Sequence, residues 1–489
     1  MKALLVYPSI PDTFWSFKHI LKFIRKRAAH VPLGLLTIAS MMPKDWDLKL
    51  IDMNVEPLTD TDLKWADTVF IGAMVVQKES VREVISRSKK FDKNVVAGGP
   101  LFSSTPEEFP EIDTQILNEA EITLPLYLED LSRGSVQTIY RSDEKPDIAK
   151  TPLPKWDLIN MSYYACMSIQ YSRGCPFDCE FCDIVHLNGR KPRVKSNDQM
   201  LHEFETLYQM GWRGRCFIVD DNFIGNKTKV KSLLRELRKW QEERKYPFSL
   251  FTEASVNLAE DQELMSLMTA AGFDSVFLGL ETPDEECLAE CGKRQNQSKD
   301  LVEAVKIIQR NGMEVMGGFI IGFDNDPPNI FEQQIKFIQS SGVVKAMIGL
   351  LNAIPGTRLY QRLQEEGRLL ADCTGDNCDG SLNFIPKKMD ADTIRAGYQA
   401  VLDHIYSPKE YYKRVLEFLK EYKPTRPKRI DKLEVRAFFS SILYLGILDK
   451  GKFYYWKLLM NALVFHRKSF GEAVSSALFG YHFRKLLSK

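Results

Sequence analysis

Eight consecutive residues constrain this chain most: Cys175-Pro176-Phe177-Asp178-Cys179-Glu180-Phe181-Cys182. Three thiols stand at C-x3-C-x2-C spacing. An apolar run, Met167 to Tyr171, precedes them, with Ser172, Arg173 and Gly174 between. The pattern places three soft ligands on a loop at the end of a strand. Such a loop can fold three thiolates around one iron–sulfur cube and leave the fourth iron without a protein ligand. An open metal position is where substrate chemistry occurs, by the logic that separates catalytic from structural zinc sites. Two plainer alternatives stand beside it. The cysteines could be packed core thiols, although thiols this close are seldom accidental. His186 follows Cys182 at x3 and could complete a Cys3His zinc site, although structural zinc usually divides its ligands into two separated pairs.

The spacing, with Phe181 directly before the third cysteine, resembles the radical S-adenosylmethionine (radical SAM) superfamily. The resemblance implies that Cys175, Cys179 and Cys182 hold a 4Fe–4S cluster whose open iron chelates the amino and carboxylate groups of SAM. An electron from the cluster then cleaves SAM to a 5'-deoxyadenosyl radical.

The 489 residues suggest about two to four domains with ample core. Lys and Arg number 66 against 65 Asp and Glu, so net charge makes no case for a nucleic-acid partner. The apolar start, Met1 to Pro8, is too short for a signal peptide and reads as a first strand. A reducing cytoplasm and free thiols are expected for the nine cysteines. Cys373 and Cys378 read as surface-loop thiols rather than a second metal pair.

Residues 1–150 alternate short apolar runs (Ala3–Tyr7, Leu48–Asp52, Thr68–Met74, Asn94–Ala97, Thr114–Leu117) with helical patterns such as Leu33–Met42 and Ser80–Phe91. That argues for a Rossmann-like, doubly wound parallel sheet, in which ligands bind beyond the carboxyl ends of the strands. Those ends carry Pro8 to Ile10, Asn54, Met74 to Gln77 and Gly98-Gly99-Pro100. The segments His30-Val31-Pro32-Leu33-Gly34-Leu35-Leu36, Ala97-Gly98-Gly99-Pro100 and Asn118-Glu119-Ala120-Glu121 resemble the cobalamin-binding domain fused to many radical SAM enzymes. This implies cobalamin contacts from Pro8, Met74, Val75, Gln77, Gly98, Gly99 and Glu119. No Asp-x-His-x-x-Gly is present, so the cobalt would lack that lower histidine. A degenerate Rossmann-like domain that binds nothing is the alternative, and His30 reads as a structural histidine.

After a Pro-rich connector at Thr151–Trp156, residues 151–375 hold six strand candidates: Met167–Tyr171, Cys216–Asp221, Ser249–Ala254, Ser275–Glu281, Val315–Gly322 and Ala346–Asn352. Helical patterns lie between them, as at Asp198–Met210, Lys227–Glu243 and Lys299–Asn311. The alternation predicts a partial (β/α)6 TIM-like barrel with function at the strand ends. Its strand-end motifs resemble the radical SAM pattern. The resemblance implies that Phe181, Asp221 and Asn222 approach SAM. Glu253 and Glu281 supply acceptors for its amino or ribose groups, Lys293 meets its carboxylate, and Gly318 and Pro355 let adenosine lie on the backbone. For any one acid, a helix-cap role is the ordinary alternative.

Residues 376–489 read as mainly helical: Asp390–Tyr406, Pro408–Tyr422, Leu433–Leu448, Phe453–His466 and Phe470–Leu487. Basic residues are dense at Lys423–Lys432 and Arg484-Lys485, and Phe453 to Trp456 are aromatic. A helical cap over the barrel is the plain reading. The sharper one is a surface that touches a membrane or admits a lipid-like substrate. Lys293-Arg294-Gln295-Asn296 and Asn383–Met389 resemble the cobalamin-dependent subgroup of hopanoid and bacteriochlorophyll side-chain methylases. The expected function is therefore methylation of an unactivated carbon of a large lipid-, hopanoid- or tetrapyrrole-like substrate, through the deoxyadenosyl radical and methylcobalamin. A flavodoxin or ferredoxin would be the electron donor, with no nucleic acid involved. Carbon–carbon coupling or cyclisation without methyl transfer is one alternative. A non-catalytic zinc-binding protein is the other.

Overall fold

A computed structural model describes residues 1–371, 373–376, 378–426 and 432–487. Its first sheet has six strands: β1 (Lys2–Tyr7), β2 (Asp47–Asp52), β3 (Thr68–Gly72), β4 (Asn94–Gly98), β5 (Thr114–Ile116) and β6 (Ile139–Tyr140). The order is β2-β1-β3-β4-β5-β6, with every pairing parallel. Alternate residues serve opposite faces, as strand geometry requires. Ala3 and Leu5 pack with Leu35, Leu36 and Leu124 on one side. Leu4 and Val6 pack with Val81 and Val84 on the other. The sheet is thus doubly wound, and its order reverses between β1 and β3. The crevice at such a reversal is the ordinary ligand site of this architecture. The two-residue strand β6 is too short to carry a periodic signal and extends the five runs expected.

The second sheet comprises β7 (Cys166–Ile169), β10 (Gly214–Ile218), β11 (Phe248–Ala254), β12 (Phe273–Glu281), β13 (Glu314–Ile321) and β14 (Ala346–Leu350). A two-stranded ribbon, β8 (Ser172–Arg173) with β9 (Arg193–Val194), intervenes. The order β14-β13-β12-β11-β10-β7 is sequential and wholly parallel, an open half-barrel. Side-chain caps start its helices: Ser196, Asp261 and Asp300 each accept from the backbone N–H three residues on. The run at Cys216 leaves the strand at Ile218 because Asp220 turns back. It accepts from Tyr171 N at 2.8 Å and Ser172 Oγ at 2.6 Å.

The half-barrel is closed from two sides. Trp15 donates from Nε1 to Met347 Sδ at 3.0 Å and meets Phe277 edge-on at 5.4 Å. The His30 ring lies 5.4 Å from Phe217 and beside Phe251. His30 is therefore a packed interface histidine, its pKa lowered by burial to about 4. On the other side, Tyr398 and Tyr406 donate to the carbonyls of Ile348 and Ala346 on edge strand β14. That covers an edge that would otherwise present unpaired groups.

These tyrosines belong to a helical region: Ala391–Tyr406, Pro408–Glu421, Lys432–Ser441, Lys452–Phe465 and Phe470–Leu487. The helix expected over Leu433–Leu448 becomes π-helical at Ile442–Leu448. There Gly446 lets the Trp456 ring approach its backbone, and its carbonyl accepts Trp456 Nε1 at 3.0 Å. Of the basic stretch Lys423–Lys432, residues 427–431 lie outside the described residues.

Candidate active site

The cysteine loop leaves β8 through Gly174, whose φ of +97° and close neighbours at Gly189 and Lys191 suit only glycine. Asp221 fixes this corner, accepting from Gly174 N at 2.9 Å and from Asn188 Nδ2 at 3.0 Å. Further along, Glu180 N donates to Cys291 O at 2.8 Å. The Glu180 carboxylate accepts a two-pronged bond from Arg362 at 2.7 and 3.1 Å. Arg358 donates to Asp178 O at 2.6 Å. The loop is thus held from β10, from the Cys291 turn and from the helix Arg358–Glu365.

Amides reach two of the sulfurs. Asn222 Nδ2 lies 3.8 Å from Cys175 Sγ, and Gln295 Nε2 lies 3.7 Å from Cys179 Sγ. Asn222 also donates to Ser255 Oγ at 3.3 Å. Burial pushes the Cys175 and Cys182 thiols up, against weaker opposing bonds. Among the described residues no three of His, Cys, Asp or Glu converge enough to hold one metal ion. His186 lies against the Gly356 turn, where its ring atoms come within 3.0–3.4 Å of a Cβ built on that glycine. Three thiols with amide donors on two of them are a donor set that fits a cube.

Beside the loop, Lys293 Nζ meets Glu281 Oε1 at 2.6 Å and lies 5.9 Å from the Phe181 ring centroid. Burial opposes the Lys293 charge, but the Glu281 carboxylate and nearby cysteines outweigh it and hold its pKa above the usual lysine range. Glu281 stands at φ +60° where β12 shifts register against β13. A bulge there re-aims the side chain. Asn296 pins the bulge through Gly279 O and Leu280 O, at 3.0 and 3.1 Å. Lys293 and Glu281, expected to meet separate groups of SAM, are thus partners of one another in this structure.

Glu253, on β11, makes no side-chain hydrogen bond or ion pair with any described residue. Burial first, then Asp221 and Asp220, push its pKa up to about 8. Gly318 gives room to Phe277, whose ring a Cβ would meet at 2.9 Å. Pro355 lies half-buried beside the Gly356 turn. Gln295, Ser255 and the Arg362–Glu180 pair were not singled out from the sequence. Gln295 had a signal in the Lys293–Asn296 segment, Ser255 lay at the end of the third strand run and Glu180 within the cysteine motif, whereas nothing pointed to Arg362.

At the first sheet, several expected contacts are occupied within the chain. Gln77 is buried, its amide donating to Pro8 O and its Oε1 accepting from Met74 N at 2.9 Å. Gly98 and Gly99 pack against Ile116 O and Ala73 O, where a Cβ would lie at 2.7 and 2.9 Å. Met74 is exposed and Val75 half-buried at the end of β3, beside the β1/β3 reversal. The Gly375 turn packs against Val75 and the Val76 backbone, so Met74 is the exposed apolar side chain at this end. Glu119 does not point there. It pairs with Arg173 and Arg193, both at 2.8 Å. A separate cleft of about 350 Å³, lined by Ser40, Glu121, Asp147 and Lys150 among others, contains none of the expected site residues.

Residues 169–338 match the radical SAM superfamily, and residues 357–489 match a domain of unknown function, DUF4070. An uncharacterized methyltransferase of Synechocystis is 42% identical, over 99% of this chain and 91% of its own length. The hopanoid C-2 methylase of Rhodopseudomonas palustris is 33% identical, over 95% of this chain and 89% of its own. The chain belongs to this family of radical SAM methyltransferases. The fold of this methyltransferase is also that of TsrM from Kitasatospora setae, a radical SAM methyltransferase solved with cobalamin and a [4Fe–4S] cluster. The TM-score is 0.64 at 15% identity, over 100% of both chains. The open half-barrel with a doubly wound sheet before it is therefore the architecture of a radical SAM methyltransferase. Among the described residues no helix is long and apolar enough to cross a membrane.

Proposed function

We propose that this methyltransferase methylates an unactivated carbon of a large apolar acceptor, lipid- or tetrapyrrole-like, using a cluster, SAM and a corrinoid. The observation that carries the reading is the three-thiol loop with amide donors on two sulfurs, set beside the buried Lys293–Glu281 pair. Cys175, Cys179 and Cys182 would hold the cluster. Met74 and Val75, with Pro8 and the Gly98–Gly99 loop, would face the corrinoid. On this reading residues 1–150 form the corrinoid domain, 151–375 the radical SAM barrel and 376–489 a helical third domain. When bound, the cluster supplies the electron that cleaves SAM, and the corrinoid carries the methyl group.

The chain's own residues orient and insulate. Asn222 and Gln295 donate toward cluster sulfurs, which tunes potential through charge-dipole contact. Glu253, protonated near neutral pH, can donate one hydrogen bond and accept another, which suits a ribose hydroxyl. Lys293 and Glu281 offer a cation and an anion to the zwitterionic end of SAM, exchanging their mutual pair for it. Phe217 and Phe251, paired and stacked on neighbouring strands, and Phe277 are covered by His30 and Trp15, and this apolar plug would help exclude water from the barrel. The likeness to the hopanoid C-2 methylase supports a lipid acceptor. A small flavodoxin or ferredoxin would supply electrons, and a membrane would be the source of such an acceptor.

The test is anaerobic reconstitution with iron, zinc and cobalt counts, followed by turnover on lipid and tetrapyrrole acceptors. Four irons and one cobalt, with a product heavier by one CH2, are expected. Iron without cobalt, or a product of unchanged carbon count, would remove methyl transfer. Zinc alone would remove the cluster.

A further inference from the structure

Among the described residues, thirteen of the twenty exposed large apolar side chains fall between Leu433 and Phe465. Single exposed apolar residues are ordinary, but such a concentration is not. In the helix Lys452–Phe465, Tyr455, Leu458, Leu459 and Ala462 are buried against the body. Phe453, Trp456, Met460 and Val464 are exposed, Phe453 by 71%. Their spacing of three, four and four residues sets them on one helical face. Before it, Val435, Phe439, Leu443 and Ile447 recur every fourth residue along the preceding helix and its π-helical end, and all are exposed. Trp456, bonded to the Gly446 carbonyl, joins the two stripes.

Charge decides what covers them. From Leu433 to Lys468 there are six Lys and Arg residues and two acids, Glu434 and Asp449. Asp449 turns toward Arg484, 3.5 Å away. Lys450, Lys452, Lys457, Arg467 and Lys468 are exposed, and none pairs with an acid among the described residues. The whole chain is nearly neutral, at net +1, so this positive field is local. A second copy is disfavoured, because a two-fold contact would set these cations against themselves. An in-plane apolar face flanked by cations matches an anionic bilayer, with rings at the acyl boundary and cations at phosphates.

We infer that the face formed by residues 433–468 docks on an anionic lipid bilayer without crossing it. The inference deepens the membrane source of acceptor proposed above and rests on that reading only for what the docking serves.

The experiment floats the full-length reconstituted enzyme with vesicles of phosphatidylcholine alone, or of equal parts phosphatidylcholine and phosphatidylglycerol, at low and high salt. Flotation with the anionic vesicles, weakened by salt, is expected. Phe453→Asp and Trp456→Asp should each lower the bound fraction about tenfold. Lys452→Glu with Lys457→Glu should lower binding to anionic vesicles while leaving the neutral ones unchanged. These side chains are exposed, and thermal melting with the cluster absorbance confirms that each variant is folded. The inference is overturned by absence of flotation, by flotation indifferent to both kinds of substitution, or by a dimer in light scattering that Phe453→Asp dissociates. Methylation of a detergent-dispersed acceptor is measured in the same variants. Flotation of the parent with no methylation of any lipid would count against the proposed acceptor and still support the docking face.

Discussion

Glu119, at the end of the first sheet, receives Arg173 at 2.8 Å across the junction with the barrel. Arg173 stands two residues before Cys175 and also grips Glu121 at 2.7 Å. Burial opposes the Arg173 charge, but Glu121 and Glu119 outweigh it and hold its pKa above the ordinary arginine value. The clamp sets the cluster loop against the strand ends of the other sheet. Glu119→Gln keeps the shape and removes a charge that two half-buried guanidiniums share. We expect a loss of about 1–2 kcal/mol in thermal stability, since Arg193 loses its carboxylate partner while Arg173 keeps Glu121. Deoxyadenosine should still form while methylated product falls more steeply. Equal loss of both would assign the clamp to folding alone.

Cys179 is the middle thiol and accepts from Gln295. Cys179→Ala should abolish SAM cleavage and lower bound iron, read by chromatography of deoxyadenosine and by iron assay. Deoxyadenosine formation by a reconstituted variant would refute the cluster assignment.

Gly279 gives the Lys293–Glu281 pair its room. A Cβ there would collide with the Glu281 carboxylate and come within 2.7 Å of Lys293 Nζ. Gly279→Ala should destabilise the protein by about 1–3 kcal/mol and raise the KM for SAM more than it lowers kcat. An unchanged KM would separate the pair from SAM binding.

Glu253 gives a pH signature. Its folded pKa, about 8, lies above the ordinary 4.5. Between those values the folded protein holds a proton that the unfolded chain has released. Stability therefore falls as pH rises through this window and levels off above it. Glu253→Gln removes the effect. In the protein without cofactors, its melting temperature should match the parent below pH 4.5 and exceed it near pH 9. The gain should be on the order of 1–2 kcal/mol, reduced because the side chain is only half-buried. A constant difference across pH would reject the shift.

Much of the architecture was legible because its signals are local. Six runs of strand length, each followed by a helical pattern, gave the half-barrel in order, while the caps at Ser196, Asp261 and Asp300 emerged only in the structure. The errors lie at strand ends, where Asp220 bonds back to Tyr171 and Ser172 and ends β10 at Ile218. No propensity reports such a partner. The roles of Lys293 and Glu281 were drawn from resemblance, and residue spacing could not show that they face each other.

The sequence by itself determined the thiol triad, the alternation of strands and helices, and the membership that follows from both, since these rest on spacing along the chain. Only the tertiary structure decided that Glu119 turns from the strand-end crevice to hold Arg173, that Gln295 reaches Cys179, and that Trp15 and His30 close the barrel. Each joins residues far apart in sequence. Their partners are chosen by burial, because a buried charge or amide must find its complement wherever the fold places one.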